Sequence, residues 1–161
     1  MRFNATIRDA PQGLPSRRAF IAGSAAGALV LSLPSAALAR PSLDEALQTF
    51  TGGKPINDGR VKLDIPPLLE NGNAVGVTID VESPMTAADH VRRIALFNAA
   101  NPQPDIAVFH LGARSGRARV STRIRLATSQ TVVAIAELTD GSFWARREDV
   151  IVTLAACIEE L

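Results

Sequence analysis

Residues 131–154 read TVVAIAELTDGSFWARREDVIVTL, and this stretch decides the fold class. Strand-like segments flank Asp140-Gly141: TVVAIAELT precedes this dipeptide, and SFWARR and DVIVTLA, interpreted as two separate strands, follow it. This dipeptide is typical of a two-residue type I′ hairpin turn, which needs positive φ at both central positions. Because the β-branched and leucine residues Val150, Val152 and Leu154 recur at every second position, the last strand is expected to end near Leu154.

Further short strands are predicted on the N-terminal side of this hairpin. Turn signals such as ENGN, ESPM, NPQPD and RSGR separate the segments RVKLDIP, VGVTIDV, RRIALFN, IAVFHLG and RVSTRIRLA. About eight short strands in about 100 residues predict an all-β, immunoglobulin-like antiparallel β-sandwich. We assign the sandwich to residues 56–154.

A short helix is predicted just before the strands. Ser42 and Glu45 have the spacing of a capping box, and the apolar positions that follow have helical spacing. Gly52 and Gly53 should end the helix, which is expected over about residues 43–50. Residues 40–55 are therefore interpreted as an N-terminal helix and linker.

Residues 1–39 have the three-part pattern of a cleaved signal peptide. A basic segment ending in Arg17-Arg18 precedes an apolar run, and small residues up to Ala39 mark the expected cleavage point. The paired arginines followed by Phe-Ile indicate the twin-arginine export route, which moves folded proteins. An ordinary secretion signal and an uncleaved anchor are the alternatives. The expected location is the periplasm, with no membrane contact after cleavage.

Composition is typical of one globular domain. The chain has 161 residues, 47% of them hydrophobic, and a net charge of +1. The leader holds four of the 17 basic residues and one of the 16 acidic ones, so its removal leaves a net charge of −2. This balance argues against nucleic-acid binding driven by bulk charge.

The sequence predicts no catalytic residues, metal site or cofactor. The two histidines, His90 and His110, lie far in sequence from each other and from the single cysteine, which does not suggest a metal-ligand cluster. Neither a Gly-x-Ser-x-Gly elbow, nor a phosphate-binding loop, nor a dinucleotide fingerprint is present. A small hydrolase or redox enzyme is therefore disfavoured.

Four arginines in GRARVSTRIRLA form what we call the arginine ladder: Arg117, Arg119, Arg123 and Arg125. They share one side of a period-two pattern, and apolar residues occupy most of the other side, so one face is expected to be buried and the other exposed. The exposed face is either a solvated surface that discourages edge pairing or a surface for an acidic partner or small anion.

Cys157 is the only cysteine, and it follows the last predicted strand by about 10 Å of extended chain. We call residues 155–161 the arm. An exported chain with one cysteine can form no internal disulfide. The thiol is therefore an intermolecular disulfide partner, a reactive group, or an inert residue.

The stretch from about Gly59 to Leu154 closely resembles SoxY, the sulfur-carrier subunit of the periplasmic thiosulfate-oxidising Sox system. The motifs that carry the resemblance are ENGN, SPMT, ADHV, VSTRIRLA and DGS, in order, followed by the single cysteine near the end. The resemblance implies a carrier that binds sulfur covalently on Cys157 and is not itself an enzyme.

The resemblance also implies partners. SoxZ would form a complex with the carrier, the haem enzyme SoxAX would attach thiosulfate to the cysteine, and SoxB would release sulfate. A sulfane dehydrogenase would oxidise the remaining sulfur in systems that contain it.

The arm departs from the family pattern, which is usually Gly-Gly-Cys-Gly-Gly. Ala155-Ala156 precede the cysteine here and Ile158-Glu159-Glu160-Leu161 follow it, which predicts a less flexible arm. The glutamates also disfavour a neighbouring thiolate and repel anionic thiosulfate. The alternative function is a SoxY-like paralogue with a binding or assembly role, or a dimer linked through the cysteine.

Overall fold

The computed structural model describes residues 40–154, so the leader residues Arg17, Arg18 and Ala39, and the arm with Cys157, lie outside the described range. The described elements are α1 (Leu43–Thr51), a turn of 3-10 helix (Ala113–Ser115), β1 (Ile56–Asp58), β2 (Val61–Asp64), β3 (Leu68–Asn71), β4 (Val75–Val81), β5 (Val91–Asn98), β6 (Asp105–His110), β7 (Arg119–Ile124), β8 (Gln130–Leu138) and β9 (Phe143–Leu154). No helix in this range is long and apolar enough to cross a membrane.

The strands form two sheets, which confirms the predicted all-β sandwich. The larger sheet has the order β1-β9-β8-β5-β6, and β3 also pairs with β9. The smaller sheet has the order β2-β4-β7. Pairing is antiparallel except that the short strands β1 and β3 both run parallel to β9, one along its start and the other along its end. The sequence patterns did not predict β1 or β3.

The main core lies between the two sheets. It is built from the inward-facing side chains of both, for example Ile79 of the smaller sheet and Ile94, Leu96 and Val132 of the larger one. These side chains are fully buried, and they are mostly β-branched or leucine, as the low aromatic content of the sequence requires. This core fixes the two sheets to each other.

A second apolar cluster lies on the outer side of the larger sheet, where α1 covers it. Ala46 and Leu47 of the helix are buried against this sheet, together with Phe97, Ile135 and Phe143. The ring of Phe50 meets Phe97 edge-on, with 5.6 Å between the ring centroids. The larger sheet is therefore buried on both faces, which explains the continuous apolar runs of β5 and β8.

The helix begins at the predicted capping box. Glu45 accepts a hydrogen bond from the Ser42 backbone N–H at 2.7 Å, and the Ser42 hydroxyl accepts one from the Glu45 N–H at 3.2 Å. These bonds satisfy two N–H groups that the first helical turn would otherwise leave free. The Ser42 backbone N–H, and then its hydroxyl, hold the pKa of Glu45 below its ordinary value.

The hairpin at Asp140-Gly141 forms, but not with the expected two-residue turn. The Leu138 N–H donates to the Ser142 carbonyl at 3.0 Å, which closes a three-residue loop of Thr139, Asp140 and Gly141. Gly141 has φ of 77°, whereas Asp140 does not have positive φ. Because only one position needs the left-handed conformation, the type I′ prediction was wrong and a three-residue loop replaces it.

Candidate functional site

The arginine ladder follows β7, an edge strand of the smaller sheet: Arg119 and Arg123 lie in the strand, and Arg117 and Arg125 flank it. All four arginines are exposed, whereas the positions on the other side of the pattern are buried (Ala118, Ile124, Leu126) or half-buried (Val120, Thr122). The predicted division into an exposed basic side and a buried apolar side is therefore confirmed. The ladder forms part of the outer face of the smaller sheet, on the opposite side of the sandwich from α1.

The charges of the ladder are only partly neutralised by the rest of the fold. Arg119 lies 3.8 Å from an oxygen of Asp80, its neighbour on β4. Within residues 40–154, no carboxylate lies within 4.0 Å of the guanidinium groups of Arg117, Arg123 or Arg125. Three of the four arginines thus offer an unneutralised charge on this surface.

A shallow depression of about 600 Å³ lies beside Arg123. Gly76 is the cross-strand partner of Arg123 and supplies no side chain. Thr78 and Ser121 form the next cross-strand pair on the same face, and their hydroxyls are hydrogen-bonded at 3.0 Å. Arg123 consequently lines a depression whose other lining groups include the backbone of Gly76 and the hydroxyls of Thr78 and Ser121.

The second feature is the base from which the arm leaves the sandwich. We call residues 151–154 the arm root. They extend beyond Val150, the last residue of β9 that pairs with β8, and they pair instead with β3. A parallel ladder that joins Leu68 to Ile151 and Asn71 to Leu154 holds this segment.

Side-chain hydroxyls strengthen the arm root. The Ser129 hydroxyl accepts a hydrogen bond from the Val152 N–H at 2.9 Å and lies 3.3 Å from its carbonyl oxygen. The Thr153 hydroxyl donates to the carbonyl of Leu69 at 3.2 Å. Backbone pairing and these hydroxyl contacts together fix the direction of the chain up to its last described residue.

Gly72 brings the arginine ladder close to the arm root. It follows Asn71, the partner of Leu154, and its carbonyl accepts a hydrogen bond from the Leu126 N–H at 2.8 Å. A Cβ at this position would lie 2.1 Å from the Leu126 carbonyl oxygen, so no other residue fits without movement of the backbone. Glycine therefore allows Arg125, next to Leu126, to approach the end of β9.

A network of amide side chains also holds the backbone carbonyl of Arg125. Asn101 donates to the Arg125 carbonyl at 2.7 Å and accepts from Gln130 at 2.9 Å. The fully buried Asn98 accepts from the Asn101 N–H at 2.8 Å. Sequence reasoning missed the roles of Gly72 and these amides, although Gly72 lies in the turn signal ENGN and Asn101 begins the turn signal NPQPD.

A separate charged cluster lies on the larger sheet. A bulge in β5 sets Arg92 and Arg93 opposite the single carboxylate of Glu137, which is nearly buried and contacts both guanidinium groups. Arg93 also stacks on the ring of Phe50, with 4.5 Å from its guanidinium carbon to the ring centroid. This cluster connects the helix to the sheet, and a structural role accounts for all of its contacts.

The two histidines do not form a site. His90 is half-buried, with Nδ1 at 3.0 Å from the Thr86 carbonyl oxygen, and His110 is exposed at the end of β6. Within the described range, no three His, Cys, Asp or Glu residues are grouped so as to hold a metal ion.

Comparison with known proteins gives one family. The family model for sulfur oxidation protein SoxY matches residues 47–157. The solved structure of the sulfur carrier protein SoxY from Chlorobium limicola f thiosulfatophilum is similar, with 27% identity and a TM-score of 0.59. The similarity covers 69% of this chain and 91% of the Chlorobium chain. No curated protein matches the sequence.

Other solved structures share the fold alone. Superoxide reductase (neelaredoxin) from Ignicoccus hospitalis is 19% identical, with a TM-score of 0.53, over 58% of this chain and 80% of the other. Superoxide reductase from Nanoarchaeum equitans is 15% identical, with a TM-score of 0.51, over 60% of this chain and 100% of the other. The family match covers more than half of the chain and includes its single cysteine, and the chain belongs to the SoxY family of sulfur oxidation proteins.

Proposed function

We propose that this protein is a periplasmic sulfur carrier that binds its substrate covalently on Cys157 and presents it to partner enzymes. The observation that carries the proposal is the extent of the family match, which continues past the sandwich and ends on the only cysteine of the chain. The similar Chlorobium structure is named as a sulfur carrier, which supports the same role here.

The proposed chemistry needs one thiol and external catalysts. Oxidative coupling of the Cys157 thiol with thiosulfate forms a sulfur–sulfur bond and gives Cys–S–S–SO₃⁻, one proton and two electrons. The electrons pass to the haem of a SoxAX-type enzyme. Hydrolysis by a SoxB-type enzyme then cleaves the sulfone, so that one water yields sulfate, two protons and Cys–S–S⁻. A second nearby thiol would discharge these species by exchange, so a single cysteine suits the role.

The described structure supports presentation of a thiol just beyond the end of β9. The arm root is held by β3, Ser129 and Thr153, and Cys157 follows Leu154 by three residues, up to about 10 Å of extended chain. A fixed base three residues before the thiol suits a group that must enter the active sites of other proteins. In this role the chain is a substrate of enzymes and not itself an enzyme.

Partners and location follow from the same proposal. A SoxZ-like subunit would bind the sandwich, and a sulfane dehydrogenase would act on the remaining sulfur where the system includes one. Arg17-Arg18 would direct export of the folded complex by the twin-arginine route, followed by cleavage after Ala39. The arginine ladder is a candidate surface for one of these partners or for a small anion.

Intact-mass measurement tests the carrier role. The mature chain, bound to its SoxZ-like subunit, is incubated with thiosulfate, a functional SoxAX and an oxidised electron acceptor. We expect a mass increase of one S₂O₃ unit, located on Cys157 and absent from a Cys157→Ser variant. Failure to form the adduct, while a glycine-armed SoxY control is loaded in the same assay, would exclude the carrier role.

The composition of the arm favours one alternative, a SoxY-like protein with a binding or assembly role. Alanine, isoleucine and glutamate occupy positions where the family usually has glycine, which alters both the flexibility and the charge of the arm. Thiosulfate oxidation that survives Cys157→Ser would support this alternative. A disulfide-linked dimer on non-reducing electrophoresis would support its cysteine-linked form.

A further inference from the structure

We infer that the depression beside Arg123 binds a divalent tetrahedral oxyanion, such as sulfate or thiosulfate. The guanidinium of Arg123 would hold the anion by a charged contact, and the hydroxyls of Thr78 and Ser121 would supply neutral hydrogen bonds. The inference goes beyond the carrier role, since neither Cys157 nor a partner enzyme takes part. Every residue of the site lies in the described part of the chain.

The first support is the shape of the surface. Two neighbouring cross-strand pairs of β4 and β7 share the outer face of the smaller sheet: Gly76 with Arg123, and Thr78 with Ser121. Their Cα atoms lie at the corners of a rectangle of about 5 by 7 Å. Three corners carry polar side chains and the glycine corner carries none, which opens the depression. A Cβ on Gly76 would meet no atom of the described chain within 4 Å, so a ligand has room at this corner.

The second support is the charge around the depression. No carboxylate of residues 40–154 lies within 4.0 Å of the guanidinium groups of Arg123 and Arg125, which are about 7 Å apart along the same face. Two such neighbouring charges favour a doubly charged ligand over chloride. Asp64, the β2 partner of Thr78, brings a carboxylate to this face. Two strand spacings, about 10 Å, separate β2 from β7, so the anion is expected on the Arg123 side.

The third support is the supply of hydrogen-bond donors. A guanidinium presents a planar fork of N–H groups that matches two oxygens of one oxyanion. The hydroxyls of Thr78 and Ser121 lie 3.0 Å apart, and this contact uses the hydrogen of only one of them. The other hydroxyl keeps its hydrogen for a ligand, and the bond that it accepts makes it a stronger donor. These side chains therefore offer both charged and neutral donors to one anion.

Heteronuclear NMR of the isotope-labelled mature chain measures the binding. Sodium sulfate and sodium thiosulfate are titrated separately at constant ionic strength, with sodium chloride making up the difference. We expect saturable shifts of the backbone amides of Gly76 and Ser121 and of the Arg123 Nε–H, at millimolar anion concentrations. Comparison of the two titrations shows whether the site prefers the proposed reactant of the carrier, thiosulfate, or the proposed product, sulfate.

Three variants decide which groups bind the anion. Arg123→Gln removes the charged contact and should weaken binding about ten-fold or more. The double variant Thr78→Val/Ser121→Ala removes both hydroxyls and should weaken it about three- to ten-fold. Gly76→Ile fills the depression without any change of charge and should remove the saturable shifts. Isoleucine favours strands, and a Cβ fits at this position, so this variant should remain folded.

Two control variants should bind as the wild type does. Arg117→Gln removes the same charge up to about 20 Å from Arg123 along the chain, beyond the screening length of about 10 Å at 0.1 M salt. Cys157→Ser removes the thiol, so this binding can be present even if the carrier role is wrong. The inference is wrong if sulfate and thiosulfate cause no more shift than chloride, if Gly76→Ile binds normally, or if Arg117→Gln weakens binding as much as Arg123→Gln.

Discussion

The two outer faces of the sandwich are built on opposite principles. The larger sheet turns an apolar outer face to α1, which buries Phe97, Ile135 and Phe143. The smaller sheet turns a polar outer face to solvent, with the arginine ladder along its edge strand. One sandwich therefore has a face that stabilises the fold and a face whose residues are free to serve recognition.

The difference teaches how burial constrains sequence. Strands β5 and β8 are buried almost throughout, so nearly every position contributes to stability. Strands β2 and β4 are buried at alternate positions only, and β7 follows a weaker form of the same pattern. Charges on the outer face of the smaller sheet can consequently change without loss of the core.

The largest contrast is expected from truncating one side chain on each face. Phe97→Ala removes a ring that is 2% exposed and should lower the free energy of unfolding by about 3–5 kcal/mol. Arg123→Ala on the opposite face should change it by no more than about 0.5 kcal/mol. Urea denaturation of both variants measures the difference, and equal losses would contradict the division of roles.

Two glycines sharpen the comparison, one near the junction of the sheets and one on the outer face of the smaller sheet. Gly72→Ala puts a Cβ 2.1 Å from the Leu126 carbonyl oxygen and should cost about 1–3 kcal/mol through the backbone shift it forces. Gly76→Ala on the outer face meets no atom within 4 Å and should be neutral or stabilising by up to about 1 kcal/mol. Thermal unfolding monitored by circular dichroism compares them, and a harmless Gly72→Ala would refute the close approach.

Substitution at the N-terminal cap of α1 tests how much the helix that covers the larger sheet contributes to stability. Ser42→Ala removes the hydroxyl that accepts the Glu45 N–H and should cost about 1 kcal/mol. Ser42→Thr keeps a hydroxyl and should retain most of the stability. The urea midpoint of each variant is the measurement, and identical midpoints for the two variants would show that the cap contributes little.

The smallest expected effect is a pH dependence at the same cap. Hydrogen bonds from the Ser42 N–H and hydroxyl lower the pKa of Glu45 from 4.5 in the folded protein. A lowered carboxylate pKa stabilises the fold above the unfolded value, and this contribution disappears as pH falls through the folded value. Glu45→Gln should therefore lose stability at pH 7 and show a shallower decline below pH 4.5 than the wild type. The melting temperature of both proteins is measured from pH 7 to pH 3. The same change with pH in the wild type and the variant would contradict this prediction.

Much of the fold could be predicted from local patterns. The Ser42–Glu45 capping box located the helix, and period-two alternation predicted the exposed and buried sides of β7. Such signals are local because each depends on neighbours within four residues. The same holds for the end of β9 at Leu154.

Features that depend on long-range contacts could not be predicted. The three-residue strand β1 and four-residue β3 exist because β9 offers them a parallel edge, and neither has a strong strand pattern of its own. Segments SFWARR and DVIVTLA were interpreted as separate strands, but they form one continuous strand of 12 residues. The proximity of Arg125 to the arm root likewise depends on Gly72, 53 positions earlier in the sequence.

The pairing of β9 has a mechanical consequence. A pull on the end of β9 along its own axis loads the hydrogen bonds to β8 on one side and to β3 on the other in shear. Bonds loaded in this way share the force and must break together, whereas a peeled strand loses them one at a time. The end of β9 is thus built to resist a pulling force, because a force on the chain beyond Leu154 would be shared by the hydrogen bonds to β8 and β3.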